Sequence, residues 1–288
     1  MKKVLNYIKL LRIKNWIKNL LILFPFIYSA RFLEWNFNDY KTIFFGVLCF
    51  SLTSSSVYII NDICDADRDK LDAKKKHRPI ASGAVSKKQA IYFLTFIIAI
   101  LLVCIFFLHN YYCVGILFIY FSLNMGYSFK WKNIPILDIS LLSIFFLLRV
   151  LFGGTLLNIG VSNYLYLTTL SAAYYFGAGK RLKEAQQGGE MRIVLKEYPL
   201  SYLESITNMF LGMTIMFYSL WAMTYDTNIM NQNLLAVSIF IVIAILLSYH
   251  YCLHKNTNGN PTDMLLENKY LILLGALYCL IILLAFFI

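Results

Sequence analysis

Asn61-Asp62-Ile63-Cys64-Asp65-Ala66-Asp67-Arg68-Asp69-Lys70-Leu71-Asp72 follows directly on the apolar run Ile43 to Ile60. On a helix of 3.6 residues per turn, Asn61, Asp62, Asp65, Asp69 and Asp72 fall within about one third of the circumference, and Asp67 points away. One face therefore carries a ladder of carboxylates at the end of an apolar helix. Like charges at that spacing repel, and desolvation beside a membrane adds to the cost, so positive charge is expected against them. Hard oxygen ligands without a His or Cys cluster favour Mg²⁺ over Zn²⁺, and Mg²⁺ commonly shares its shell with a substrate phosphate. A solvated acidic loop is the competing reading; the helical register and the position at the mouth of a membrane helix weigh against it.

The rest of the chain supports a membrane setting. Of its 288 residues 59% are hydrophobic, 17% aromatic and only 14% charged, too little polar material for a soluble domain of this length. Nine apolar spans can be drawn, at about 16–33, 41–61, 88–108, 111–129, 134–156, 162–179, 202–224, 233–253 and 270–288, each near the length that crosses the bilayer core. Only His109 and Asn110 separate the third from the fourth, which predicts a tight helical hairpin. The expected fold is all-α, a polytopic membrane protein of nine transmembrane helices, with no cleavable signal peptide. Cys49, Cys64, Cys104, Cys113, Cys252 and Cys279 form no CxxC pair, and most read as small buried hydrophobes.

Charge distribution sets the orientation. With a cytoplasmic N-terminus, 23 of the 26 Lys and Arg residues fall on the cytoplasmic side, which the positive-inside rule favours. The net charge of +11 thus reads as topology and contact with lipid or phosphate, and nucleic acid is not an expected partner. Residue usage rich in Lys, Asn and Ile suggests an AT-rich bacterial genome, and the expected location is a bacterial inner membrane.

Several basic and aromatic residues stand at span ends. Lys14 and Lys18 flank Trp16, either as snorkelling interfacial anchors or as a clamp on a lipid phosphate. After the carboxylates, Lys74-Lys75-Lys76-His77-Arg78-Pro79 provides cations of the kind a diphosphate needs beside a metal. Tyr127, Lys130 and Lys132 end the fourth span. Asp138 and Arg149 lie at the edge of or within the fifth, where a charge at bilayer depth costs about 2.5–3.5 kcal/mol on the lenient scale. A polar cavity or a structural ion pair would accommodate them. Lys180, Arg181 and Glu184 close the sixth span, where a Lys180–Glu184 helix-end pair is the plain alternative. His250 and His254 lack an obvious third ligand and read as interfacial. Thr262 or Asp263 can cap a short helix.

These motifs resemble the UbiA superfamily of membrane prenyltransferases, whose NDxxDxxxD signature is met by Asn61, Asp62, Asp65 and Asp69. The finer likeness is to its decaprenyl-phosphate phosphoribosyltransferase branch. It is carried by Trp16-Ile17-Lys18-Asn19, Arg78-Pro79-Ile80-Ala81-Ser82-Gly83, Leu148-Arg149-Val150 with Gly153-Gly154, Gly179-Lys180-Arg181 with Glu184, and Pro261-Thr262-Asp263. The resemblance implies one UbiA-like domain over 1–288, a helical bundle around a central cavity open to the cytoplasmic side, and active-site loops at about 62–87 and 180–201. It implies transfer of phosphoribose from phosphoribosyl diphosphate (PRPP) to a polyprenyl phosphate. Asn61, Asp62, Asp65 and Asp69 are the expected Mg²⁺ ligands. Lys75, Arg78, Lys180 and Arg181 are expected at the donor phosphates, with Glu184 orienting the cationic pair or a ribose hydroxyl, and Lys180 counted with the aspartates as catalytic. Lys14, Lys18 and Arg149 are expected at the lipid phosphate. The branch's Tyr-x-x-x-Lys pattern begins at Tyr127, and either Lys130 or Lys132 fills its lysine. An aromatic prenyltransferase of the same fold is the alternative; it is expected to carry an Asp-rich motif where Lys180 and Arg181 stand. A transporter or lipid-binding protein is the reading from another class, disfavoured by polar machinery gathered on one membrane face. A homo-oligomer is allowed by the sequence without being specified by it.

Overall fold

The structure, a computed structural model, describes residues 2–29, 36–72, 75–187, 193–225, 230–255, 264 and 268–287. These are helical or in turns, and no strand occurs among them. The main helices are α1 (Lys2–Leu11), α2 (Phe24–Tyr28), α3 (Phe37–Cys64), α4 (Ala66–Asp69), α5 (Lys87–Leu108), α6 (Tyr111–Phe129), α7 (Leu137–Leu156), α8 (Asn163–Gln186), α9 (Leu200–Thr224), α10 (Gln232–Lys255) and α11 (Lys269–Phe287). Tighter 3₁₀ segments occupy Ile13–Leu23, Trp131–Asn133 and Ile193–Glu197. Seven of the described helices, α3, α5, α6, α7, α9, α10 and α11, are long and apolar enough to cross a bilayer.

Two of the nine expected spans differ. The first is an 11-residue 3₁₀ helix running into the short α2, where the sequence predicts one continuous span. The sixth, α8, is 24 residues long but is not among the seven: tyrosines, threonines and small residues dilute its uncharged part, and its C-terminal turns carry Lys180, Arg181, Lys183 and Glu184.

Helix starts follow local chemistry. Asn36 caps α3 and Ser86 caps α5, each in a reciprocal capping box, with Asp39 and Gln89 respectively. His109 turns the chain in the left-handed region and Asn110 caps α6, so two residues do join α5 to α6.

The described chain forms two compact units, residues 1–131 with 148–160, and residues 132–147 with 161–288. In the first, α3 is the central element: α1, the 3₁₀ segment, α5 and α6 all pack on it. Most of its apolar stretch is buried, whereas α5 leaves most of its own exposed, as a lipid-facing helix does. Within α3, Thr53, Ser54 and Ser56 are satisfied locally, donating to carbonyls three or four residues back. In the second unit α8 packs along α9, α9 on α10, and α10 on α11.

The 3₁₀ segment explains how the first span is held. Its period of three aligns Trp16, Asn19 and Ile22 on one face. Trp16 Nε1 donates to Ser55 Oγ at 3.0 Å and Asn19 Nδ2 to Ser51 Oγ at 2.9 Å; the two serines are one turn apart on α3. Ile22 is fully buried, and its carbonyl lies so close to Gly153 that a Cβ there would collide with it.

Candidate active site

The carboxylate stretch is built on the end of α3. The helix stops at Cys64, Asp65 is its C-cap with the N–H on the Asn61 carbonyl, and the four-residue α4 resumes from Ala66. Asp62 and Asp69 thereby point inward, 2% and 3% exposed. The expected uninterrupted helical ladder is instead two pieces bent at Asp65. Asp67 points away as the register predicts, bonded to Lys70 and Lys87 at 2.9 Å each. Those two lysines hold its carboxyl down at about 2. Asp72 is paired with Lys75 at 3.1 Å.

Positive charge does sit against the buried pair. Arg78 Nη1 donates to Asp62 Oδ1 at 3.0 Å and to Asp69 Oδ2 at 2.7 Å. The turn carrying Arg78 is folded back by Gly83, in the left-handed region at φ +76°, and pinned by Ile80 and Val85 in a core with Leu10, Ile59, Ala66 and Ala90. Arg12 is the second cation. Its Nη2 donates to the same Asp62 Oδ1, its guanidinium lies 4.9 Å over the Tyr58 ring, and its backbone is left-handed at φ 51°. In the sequence Arg12 reads as one more positive-inside residue. The signal that could have found it is its position at the junction of two apolar stretches, where only a left-handed residue turns α1 into the 3₁₀ segment.

Among the described residues no three His, Cys, Asp or Glu side chains converge as a ready metal cluster. Mg²⁺ needs fewer, one or two carboxylates together with substrate phosphate and water. Both guanidinium bonds to Asp62 fall on Oδ1, and the bond to Asp69 falls on Oδ2. Each carboxylate keeps a second, hard, anionic oxygen, so the donor set fits such an ion. Asn61 and Asp65 flank the pair, both half-buried.

The N-terminal lysines separate. Four residues along a 3₁₀ helix turn them roughly 120° apart instead of onto one face. Lys14 is exposed and Lys18 half-buried.

Arg149, expected at a lipid phosphate, is engaged by protein: 3% exposed, it donates from Nε to Asn19 Oδ1 at 2.9 Å and from Nη2 to Tyr120 Oη at 3.1 Å. Its guanidinium lies 5.2 Å from the centres of both the Phe50 and Tyr120 rings. Acceptors and aromatic faces stabilise the charge at depth, which makes Arg149 an anchor for the 3₁₀ segment. Tyr127 is half-buried, Lys130 exposed at the end of α6, and Lys132 half-buried in the following turn.

In the second unit Arg181 is fully buried. Its Nε donates to Asp138 Oδ2 at 2.5 Å and its Nη1 to Glu184 Oε2 at 2.6 Å. Both bonds lie inside the protein. Tyr198 Oη donates to Asp138 Oδ1 at 2.7 Å and accepts from the Ile136 N–H. Burial and the Asp138 carboxylate push the phenol up, so it stays a neutral donor. Lys180 is half-buried and Glu184 partly exposed. The late Pro261-Thr262-Asp263 motif lies outside the described residues.

Residues 22–274 match the UbiA prenyltransferase family. The chain belongs to that family. Among similar UbiA proteins is a decaprenyl-phosphate phosphoribosyltransferase of Corynebacterium glutamicum, 26% identical over 98% of this chain and 86% of the relative. Another, of Mycolicibacterium smegmatis, is 29% identical over 93% and 88%. In fold, the chain is similar to a UbiA homolog from Archaeoglobus fulgidus bound to GPP and Mg²⁺, with a TM-score of 0.71 and 17% identity over 98% of this chain and 100% of that one. The protein is thus a multi-pass membrane protein with the UbiA fold.

Proposed function

We propose that this UbiA-family protein transfers 5-phosphoribose from phosphoribosyl diphosphate to a polyprenyl phosphate, releasing diphosphate and supplying a lipid-linked pentose for cell-envelope glycans. The observation that carries this reading is the end of α8. Where the aromatic prenyltransferases of the family are expected to place a second aspartate cluster, this chain has Lys180, Arg181 and Glu184, with the one arginine fully buried between Asp138 and Glu184. A donor with a 5-phosphate besides its diphosphate calls for one metal site and one cationic site. Near-full-length similarity to two phosphoribosyltransferases supports the same reading. The location proposed with it is a bacterial inner membrane with the N-terminus in the cytoplasm, which rests on the distribution of Lys and Arg.

Asp62 and Asp69, with Asp65 and Asn61 beside them, are the residues that would hold Mg²⁺. Bound there, the ion would supply charge neutralisation for a departing diphosphate. The other steps fall to the chain itself. Arg12 orients Asp62 and Arg78 bridges Asp62 and Asp69, and Arg78, a quarter exposed, also has surface for a donor phosphate oxygen. Lys75 is tied to Asp72 and contributes charge at the rim. Lys180 takes a donor phosphate. Arg181 acts through Glu184, whose partly exposed carboxylate is held to accept from a ribose hydroxyl. Lys14 and Lys18 are assigned to the lipid phosphate, and Tyr127 with Lys130 or Lys132 to the substrate-binding surface. The bond from the anomeric carbon to diphosphate breaks and its electron pair leaves with diphosphate; an oxygen of the polyprenyl phosphate forms the new bond. That oxygen is already anionic, so no general base is required.

The test is incubation of purified protein in detergent with Mg²⁺, a polyprenyl phosphate and ribose-labelled PRPP, followed by extraction into organic solvent. Label should move to lipid with the native protein, disappear with chelator, and fall by at least about a hundredfold with Asp62→Asn or Asp65→Asn, the scale of losing one preorganised charge-stabilising group. Lys180→Ala should lose transfer chiefly through the donor. No transfer across several lipid lengths, with a prenyl diphosphate consumed instead when an aromatic acceptor is present, would overturn the reading in favour of the alternative.

A further inference from the structure

Helix α1, Lys2–Leu11, takes no part in the reaction proposed above. Its ten residues make about 15 Å of helix, half of what the bilayer core requires, so it cannot span. One flank is packed. Leu10 is fully buried in a core with Ile59 of α3 and Ala90 of α5, Tyr7 and Leu11 lie against that core, and the Tyr7 ring stands 4.9 Å from the Phe93 ring. A second flank is apolar and open, with Val4 62%, Leu5 52% and Ile8 43% exposed. At about 100° per residue those three fall on an arc beside that of Tyr7, Leu10 and Leu11, and Asn6 and Lys9 share the remaining side. The depth of the open flank is set by α5. Phe93 comes six residues after Lys87, about 9 Å along the axis of a span. Around it α5 exposes Ile91, Tyr92 and Phe96, the kind of surface a span turns to lipid. Val4, Leu5 and Ile8 therefore stand beside a lipid-facing surface, near the boundary between headgroups and acyl chains.

Left in water, three large apolar side chains on one flank are unfavourable; at that boundary they are not. Charge identifies the lipid. α1 carries Lys2, Lys3 and Lys9 and no acidic residue, the composition of an in-plane helix that docks on anionic headgroups. A second copy of the chain could cover the apolar flank, but it brings a net charge of +11 towards the same lysines, and like charges oppose that contact. We propose that α1 is an in-plane anchor on the anionic phospholipid leaflet, with Val4, Leu5 and Ile8 entering the acyl boundary and the lysine ammoniums binding lipid phosphates. α1 ends at Arg12, whose left-handed backbone turns the chain and whose guanidinium holds Asp62, so a docked α1 steadies the approach to the carboxylates. The docking itself does not depend on which group the protein transfers.

The test uses the full chain in nanodiscs, which leave both membrane faces open to water. In a background freed of its own six cysteines, Ile8→Cys carries a fluorophore on the open flank. Asp67→Cys, at a side chain 72% exposed, carries the same fluorophore as a reference in water. With phosphatidylglycerol present, iodide should quench the Ile8→Cys label far less than the reference, and a phosphatidylcholine bearing a nitroxide near the top of its acyl chain should quench it more. In phosphatidylcholine alone, or with Lys2→Gln, Lys3→Gln and Lys9→Gln combined, iodide quenching of the Ile8→Cys label should rise at least about fivefold, the factor that one lysine contributes at an anionic surface. Iodide quenching equal to the reference in every lipid would overturn the proposal. A label shielded from both quenchers would overturn it too, since protein would then cover the flank, and equal shielding with and without phosphatidylglycerol would remove the anionic leaflet as the partner. A second measurement needs no cysteine change. Phosphatidylglycerol should raise the melting temperature of the native protein more than that of the triple lysine variant, and an equal rise counts against α1 as the anchor.

Discussion

At the scale of single residues, the buried carboxylates are set by two arginines that enter from different places in the chain, Arg12 from the N-terminal junction and Arg78 from the turn after α4. Arg12 combines a charge-assisted bond with a left-handed backbone, and the two contributions can be separated. Arg12→Ala removes the guanidinium and leaves a non-glycine residue at positive φ, whereas Arg12→Gly removes the same group and relieves the backbone. Arg12→Ala should cost about 1.5–3 kcal/mol of stability for the lost charged bond, and Arg12→Gly should recover about 1 kcal/mol of it. Unfolding of the two variants in detergent checks this; equal stabilities would mean that the left-handed turn carries no strain. Asp67 supplies the contrast. Its folded pKa of about 2 lies below the unfolded value, so its pairing contributes above the ordinary carboxylate range, ~3.9, and is lost as pH falls through about 2. Asp67→Asn should therefore leave transfer at neutral pH unchanged, slightly lower stability above about pH 4, where the pairing is present, and converge with the native protein as pH falls through about 2.

At the scale of elements, the first span is where reading from sequence and folding diverge most. Leu20, Leu21, Ile22 and Leu23 give no periodicity that separates an α-helix from a 3₁₀ helix, because apolar residues occupy every position. The choice is made by partners distant in sequence, Ser51 and Ser55 on α3 and Arg149 on α7. Asn19 is the pivot: it donates to one serine and accepts from the arginine at full burial. Asn19→Leu should strip an acceptor from a buried guanidinium and cost about 3–5 kcal/mol, seen as a large fall in melting temperature. Asn19→Asp keeps an acceptor for Arg149 and should be milder. If Leu is tolerated as well as Asp, the Arg149 bond does not hold the 3₁₀ segment in place. The carboxylate stretch, by contrast, was legible: its spacing alone separates Asp62 and Asp69 from Asp67. What spacing could not give was the break at Asp65, which depends on where α3 ends against Arg12 and Arg78.

At the scale of the whole molecule, apolar run length identified α3, α5, α6, α7, α9, α10 and α11 as spans, since crossing about 30 Å of hydrocarbon demands near-continuous apolar sequence. α8 was also placed from the sequence, although its tyrosines, threonines and small residues together with its charged C-terminal turns hold it below the apolarity of the others. What was not legible is the pairing at its end: Lys180, Arg181 and Lys183 are alike in sequence, and only the fold brings Asp138 from α7 onto the buried Arg181, with Tyr198 donating to the same carboxylate. The proposed reaction requires its charged residues on the side where PRPP is made. Lys70, Lys87, Lys180 and Lys196 should therefore face the cytoplasm, and His109 with Asn110 the opposite side. Single cysteines introduced at Asp67 and at Asn110, in a chain freed of its own six cysteines, should react oppositely with a membrane-impermeant maleimide: Asn110→Cys in intact spheroplasts, Asp67→Cys only in inverted vesicles. Labelling of Asp67→Cys from outside would place the carboxylates away from a cytoplasmic donor. PRPP could not then reach them, and phosphoribosyl transfer by this chain would have to be abandoned even with the fold and the arginine–carboxylate network unchanged.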